Sequence, residues 1–168
     1  MLAAALSLII LAAALQPHHP SVSPACSKPE NRQFDFWLGD WTVLDTATRK
    51  TAGHNLVTSI QDACALQEHW TGVDGSSGTS FNTYYAPDRM WHQIWVDNQG
   101  LLLRLDGRLL DGKMVLSAPR LTRDGKRVID RIVWTPERNG NVRQVWDESS
   151  DGGKTWRNAF DGTYVKSR

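Results

Sequence analysis

Hydrophobic and polar residues alternate with a period of two along most of this chain, in short runs parted by turn dipeptides. Apolar side chains at alternate positions give a strand one face for a core and one for water. Runs at about 41–49, 54–61, 64–72, 78–86, 90–98, 101–110, 113–122, 127–136, 141–149 and 155–165 carry this alternation. Asp74-Gly75, Asp111-Gly112, Asp124-Gly125 and Asn139-Gly140 fall between runs, and such dipeptides are strong hairpin formers. Beyond the N-terminal leader no stretch has sustained helical periodicity. A meander of about ten strands closes on itself or leaves long bare edges. The pattern therefore predicts an all-β fold, a single antiparallel up-and-down β-barrel. A two-sheet sandwich is the alternative.

Phe34-Asp35-Phe36-Trp37-Leu38-Gly39-Asp40-Trp41 stands just ahead of the first strand. Its aromatic density predicts a short helical plug over 34–38 that turns into strand one, with Gly39 freeing the backbone at the corner. Leu101-Leu102-Leu103 is apolar on both faces, which predicts cover from the plug on that strand's outer side. Gly107, in the middle of the same strand, predicts a bulge.

The first residues change the domain picture. Met1 to Leu15 is apolar except for Ser7. That length suits the core of a signal peptide and is short for a bilayer span. Ala12-Ala13-Ala14 and Ser23-Pro24-Ala25 offer cleavage sites, after Ala14 or Ala25. No Lys or Arg precedes the apolar run, so the usual positive n-region is missing. Gln16 to Pro24, with its prolines and histidines, reads as a tether. The division is 1–25 as signal peptide and tether and 26–168 as the barrel domain. The expected location is exported, periplasmic or extracellular. An oxidising compartment makes a single disulfide between Cys26 and Cys64 the expected state of the two cysteines. Lipidation of Cys26 is the weaker alternative, because Ser23-Pro24-Ala25 lacks a large apolar residue three positions before it.

Nineteen Lys and Arg face eighteen Asp and Glu, with no basic stripe, so nothing points to nucleic acid. Eight Trp are present, all between Trp37 and Trp156. Each indole N–H needs a partner once buried, so this number implies an aromatic pocket or a wide, partly polar barrel interior.

Three strands carry these Trp in register with polar groups: Leu66-x-Glu68-x-Trp70, Trp91-x-Gln93-x-Trp95-x-Asp97 and Val142-x-Gln144-x-Trp146-x-Glu148. The Trp faces are the larger and more uniform, which places them inside. The candidate ligand-binding residues are Glu68, Trp70, Trp91, Gln93, Trp95, Gln144 and Trp146, for a small, largely apolar or aromatic molecule held in the lumen. The alternatives are a lumen filled by these same Trp in a structural or partner-binding envelope protein, and a hydrolase or isomerase using Glu68, Asp97 or Glu148 as acid and base.

Catalytic and metal motifs are otherwise missing. Neither cysteine has a C-x-x-C partner, His54, His69 and His92 lack metal-ligand spacing, and no cofactor motif occurs. Ser149-x-Asp151-x-Gly153-x-Thr155-Trp156 matches the Asp-box pattern of sialidase-like propellers. One copy in a chain this short predicts a rigid hairpin between the last two strands and not a propeller.

The plug sequence, Trp91-His92-Gln93-Ile94-Trp95-Val96-Asp97, and the closing Asp151-Gly152-Gly153-Lys154-Thr155-Trp156 with Phe160-Asp161-Gly162-Thr163-Tyr164 together resemble a family of bacterial domains of unknown function, many of them exported. The resemblance covers about residues 28–166 and implies a calycin-like, lipocalin-related barrel. It carries no catalytic residues. Gly39-x-Trp41 also resembles the motif at the start of true lipocalins, from which the rest of the N-terminal half departs.

Overall fold

The computed structural model describes residues 25–167; the leader, the tether and the Ala14 cleavage site lie outside them. Two short 3-10 turns, Pro29–Arg32 and Asp35–Trp37, lead into strand β1 (Gly39–Asp45). There follow β2 (Thr51–Ile60), β3 (Ala65–Gly72), β4 (Ser77–Tyr85), β5 (Met90–Asp97) and β6 (Leu102–Leu110). The second half is β7 (Lys113–Leu121), β8 (Arg127–Pro136), β9 (Val142–Ser149) and β10 (Arg157–Lys166). Each strand pairs antiparallel with its neighbours in sequence, and β1 pairs with both β2 and β10, so the ten strands close as an up-and-down barrel. No helix among the described residues is long and apolar enough to cross a membrane.

Closure follows from the alternation. Leu66, Leu103, Leu105, Met114, Leu116, Ile132 and Val142 are buried on the inner face. Outward neighbours on the same strands are open to water: Ile94 and Val96 are each 50 % exposed while Trp91 and Gln93 are 2 % and 3 %. The shortest hairpin, Asp111-Gly112, has positive φ at both residues, 48° and 77°, the requirement of a tight turn whose twist matches its strands.

One barrel end is closed by the plug. Phe34 and Trp37 are fully buried and stack at 5.0 Å between ring centroids. Phe34 meets Trp91 and Trp134 edge-on at 5.6 and 5.2 Å, and Trp37 lies 5.3 Å from Trp134 and 6.3 Å from Tyr164. The Trp41 indole donates to the Trp37 carbonyl at 2.9 Å. Lys166 closes the corner, its Nζ 3.7 Å above the Trp41 ring and donating to the Leu38 carbonyl at 2.7 Å. A disulfide joins Cys26 to Cys64 with the Cα atoms 5.0 Å apart, tying the segment ahead of the plug to the β2–β3 turn. The Arg32 guanidinium donates to the Ala63 carbonyl at the same turn.

Two expectations for β6 need correction. The plug packs inside the barrel end and does not cover the strand's outer face, where Leu102 is 42 % exposed. Gly107 marks no bulge: the register runs unbroken through Trp91↔Gly107 and Gly107↔Leu116. The glycine is there for space, because a Cβ would collide with the Val115 carbonyl and lie 2.9 Å from the Leu116 Cα. Gly107→Ala is expected to destabilise the protein by about 2 kcal/mol, as overpacking of backbone does, and urea denaturation checks it. The register shifts lie instead in β1 at Val43/Leu44 and in β10 between Asn158 and Phe160. The second lets Phe160 face Trp146 across the strand pair.

Candidate functional site

The barrel end away from the plug is formed by the β1–β2, β3–β4, β5–β6, β7–β8 and β9–β10 turns, and a cavity of about 440 Å³ runs inward from it. Trp70, Trp95, Trp146 and Phe160 wall its upper part. Space for these rings comes from glycines on neighbouring strands. A Cβ at Gly53 would strike the Trp70 ring, and one at Gly78 the Trp95 ring. Trp70 donates its indole N–H to Ser76 Oγ at 3.3 Å and meets Phe160 edge-on at 6.0 Å.

Trp146 is held from behind. Its indole N–H donates to Asp130 Oδ1 at 2.9 Å, and Asp130 is fully buried. Arg120 neutralises that carboxylate with bonds of 2.7 and 3.1 Å and reaches Glu148 at 2.6 Å. A buried carboxylate needs such pairing to stay in place.

Below the aromatic walls lies a continuous polar belt. Glu68, 5 % exposed, accepts from Asn55 Nδ2 at 2.9 Å and from Ser80 Oγ at 2.7 Å. Asn82 Nδ2 donates to Ser80 Oγ at 2.9 Å, and Gln93 Nε2 donates to Asn82 Oδ1 at 2.8 Å. On the other side Asn55 Nδ2 reaches the Tyr164 hydroxyl at 3.4 Å, and that hydroxyl donates to Gln144 Oε1. Gln93 and Gln144 end the belt, and both line the cavity with Glu68 and Tyr164. Gln93 Oε1 and Gln144 Nε2 make no hydrogen bond with the described residues. Burial raises the Glu68 carboxyl to about 7, against the lowering by Ser80 and Asn55. Burial, with the nearby Glu68 charge, also pushes the Tyr164 hydroxyl well above its usual value.

Of the residues singled out in the sequence, the cavity gathers Glu68, Trp70, Gln93, Trp95, Gln144 and Trp146. Trp91 is the exception and is corrected. It lies four residues before Trp95, about 13 Å further along the strand, where its N–H donates to Gln33 Oε1 at 3.3 Å and its ring packs on Phe34 and Tyr84. Trp91 belongs to the plug. Asp97 stands at the cavity mouth and caps the β5–β6 turn, accepting from the Gln99 and Leu101 amides at 2.9 and 2.8 Å. Glu148 is bound to Arg120 and Arg157 and does not line the cavity.

Asn55, Ser80, Asn82 and Tyr164 escaped the sequence reading. Alternation along their own strands, Asn55-x-Val57, Ser80-x-Asn82 and Gly162-x-Tyr164, was the available signal. The Asp box is a turn staple at the β9–β10 connection. Asp151 Oδ1 accepts from the Lys154 and Thr155 amides at 3.0 and 2.9 Å, and Asp151 Oδ2 from the Thr155 hydroxyl at 2.6 Å. These bonds, that of the Thr155 hydroxyl first, lower its carboxyl to about 2. Trp156 lies under the Arg131 guanidinium at 3.9 Å and takes no part in the cavity.

A second opening lies in the barrel side. β6 and β7 pair only from Asp106↔Ser117 to Leu110↔Lys113, leaving Leu102–Leu105 and Ala118–Leu121 apart. The slot between them shares Asp97, Leu101 and Leu103 with the lumen cavity. No protein-family model matches the chain, and no curated protein matches it.

Proposed function

We propose that this protein is an exported carrier or sensor that holds a small, largely apolar or aromatic molecule in its barrel, without catalysis. The observation that carries the reading is the cavity of about 440 Å³, walled by Trp70, Trp95 and Trp146 and ending on the Glu68 belt. Apolar walls with a few convergent polar groups, in a space of this size, are the usual make-up of a small-molecule site. The open volume disfavours a lumen filled by its own side chains. The Cys26–Cys64 disulfide supports export, since such bonds persist in oxidising compartments. The resemblance of its motifs to those of exported bacterial calycin-like domains is a further reason for reading it so.

Fluorescence of the uncharged probe N-phenyl-1-naphthylamine tests the reading. The wild type is expected to enhance and blue-shift its emission saturably. Trp95→Ala is expected to weaken binding about tenfold through lost ring contact while the far-ultraviolet circular dichroism stays unchanged. Absence of any enhancement, or binding by Trp95→Ala equal to wild type, contradicts it.

One observation favours a second reading. A cavity carboxyl with its pKa near 7 is suited to general acid or base work. That reading requires turnover, of an aryl ester for example, that Glu68→Gln abolishes.

A further inference from the structure

The charged residues that line the cavity are of one sign. Glu68 lines its depth, and Asp45, Asp74 and Asp97 stand nearer its mouth; among the described residues that line it there is no Lys, Arg or His. The three aspartates serve their turns through Oδ1 alone: Asp45 accepts from the Thr48 amide at 2.7 Å, Asp74 from the Ser76 amide at 3.0 Å, and Asp97 from the β5–β6 turn. Each leaves Oδ2 without a partner among the described residues. Bonds to Thr48 and Ser76 hold the Asp45 and Asp74 carboxyls below their ordinary values, so both are ionised near neutrality.

Turn aspartates alone would say little. The second observation lies deeper. Glu68 is buried with neutral partners only, Asn55, Ser80 and, beyond Asn55, Tyr164. β2, β4, β5 and β10 bring no positive group toward it. Gln93, 3 % exposed and in the cavity wall, keeps Oε1 free. A buried carboxylate without a counter-charge is costly, and the acceptor surface here exceeds what the protein's own donors use. The walls add electron-rich faces, since Trp is the strongest of the aromatic cation partners.

We infer that the molecule taken into this barrel is an organic cation, a primary or substituted amine on an apolar or aromatic body, with its ammonium group directed to Glu68 and Gln93 and its body between Trp70, Trp95 and Trp146. The inference rests on the ligand-binding reading of the same cavity. It adds that selectivity is for positive charge. Each carboxylate oxygen of Glu68 already accepts one bond and has a second lone pair to offer. The cation supplies the counter-charge that the fold leaves out, and the mouth aspartates raise its local concentration by their field. Because the ammonium group pairs with the ionised form of Glu68, binding and loss of the Glu68 proton are linked.

Calorimetric titration at pH 8 with phenethylamine, 2-phenylethanol and phenylacetate tests this, since the three share a ring and differ in charge. Phenethylamine is expected to bind at least about tenfold more tightly than 2-phenylethanol, in line with a charge-assisted hydrogen bond, and phenylacetate most weakly. Glu68→Gln is expected to abolish the preference for the amine. The wild type gives a second readout independent of any variant: amine affinity should fall about tenfold per pH unit below about 7, where Glu68 takes up its proton. Equal binding of amine and alcohol, tighter binding of phenylacetate, or a flat pH profile overturns the inference. If the naphthylamine probe still binds in that case, the ligand-binding reading stands without it. If neither that probe nor any of the three binds, both fall.

Discussion

Trp37→Ala is expected to lower the free energy of unfolding by about 3–5 kcal/mol, the range for truncating a buried aromatic. The melting temperature should drop by about 10–20 °C for a domain of this size. Trp37 has no exposed surface and touches Phe34, Trp134 and Tyr164, and its carbonyl receives the Trp41 indole N–H. The plug is short and lacks helical capping of its own, with no side-chain cap bond at Phe34. Its conformation depends on burying Phe34 and Trp37 in the barrel end. Removing the larger ring opens a cavity beneath Trp134, the residue that also forms part of the lumen cavity's lining. Thermal denaturation followed by near-ultraviolet circular dichroism measures the change. A shift below about 3 °C would show that the barrel stands without its plug. Trp156→Ala, on the outer Asp-box hairpin, is the comparison and should change stability far less.

The second large effect is on pH. Glu68 has a folded-state carboxyl raised from 4.5 to about 7 by burial. A raised carboxyl contributes stability that is full below its unfolded value and is lost as pH rises through the folded value. Between about 4.5 and 7 the unfolded chain releases a proton that the folded protein keeps, so stability should fall by about 3 kcal/mol across that window and level off above it. Asp45, Asp74, Asp124, Asp151 and Asp161 act in the opposite sense at lower pH, since their folded values are depressed and their contribution is lost as pH falls through them. Glu68→Gln isolates the first effect. A flipped Asn55 amide can accept from the new side-chain N–H, and its Nδ2 then stands where Oδ1 has no partner, a cost that is the same at every pH and cancels in the comparison. The variant should gain on the wild type by about 3 kcal/mol between pH 5 and pH 8 in urea denaturation. A difference that stays constant over this range contradicts the assignment.

The fold was legible because its determinants are local. Alternation and hairpin dipeptides act over a few residues, and closure follows from the number of strands that would otherwise have bare edges. The face assignment on β3, β5 and β9 was legible for the same reason: Trp95 and Ile94 point to opposite sides of one strand. Depth along the barrel was not, and Trp91 shows why. A period of two sets the side of a strand and says nothing of how far a residue lies from either barrel end. The Asn55–Glu68–Tyr164 contact was illegible for another reason. Tyr164 reaches the belt through the closing pair β1–β10, a register fixed by the whole barrel. The β10 bulge ahead of Phe160 hid that residue's face in the same way. Gly53 and Gly78 were visible in the sequence. Their meaning as space for Trp70 and Trp95 depends on which strands lie side by side.

The central claim is that the lumen, and not the outer sheet, receives a small molecule. The outer face of β4 to β6 supplies the contrast, for Phe81, Ile94, Val96 and Leu102 are all exposed there. Crystals soaked with the uncharged 6-bromoindole and measured at the bromine edge decide between them. The account predicts one dominant anomalous peak inside the barrel, between Trp95 and Trp146 and above Glu68. A peak only on the outer face beside Phe81 and Ile94, or none in the lumen at saturating ligand, would contradict it.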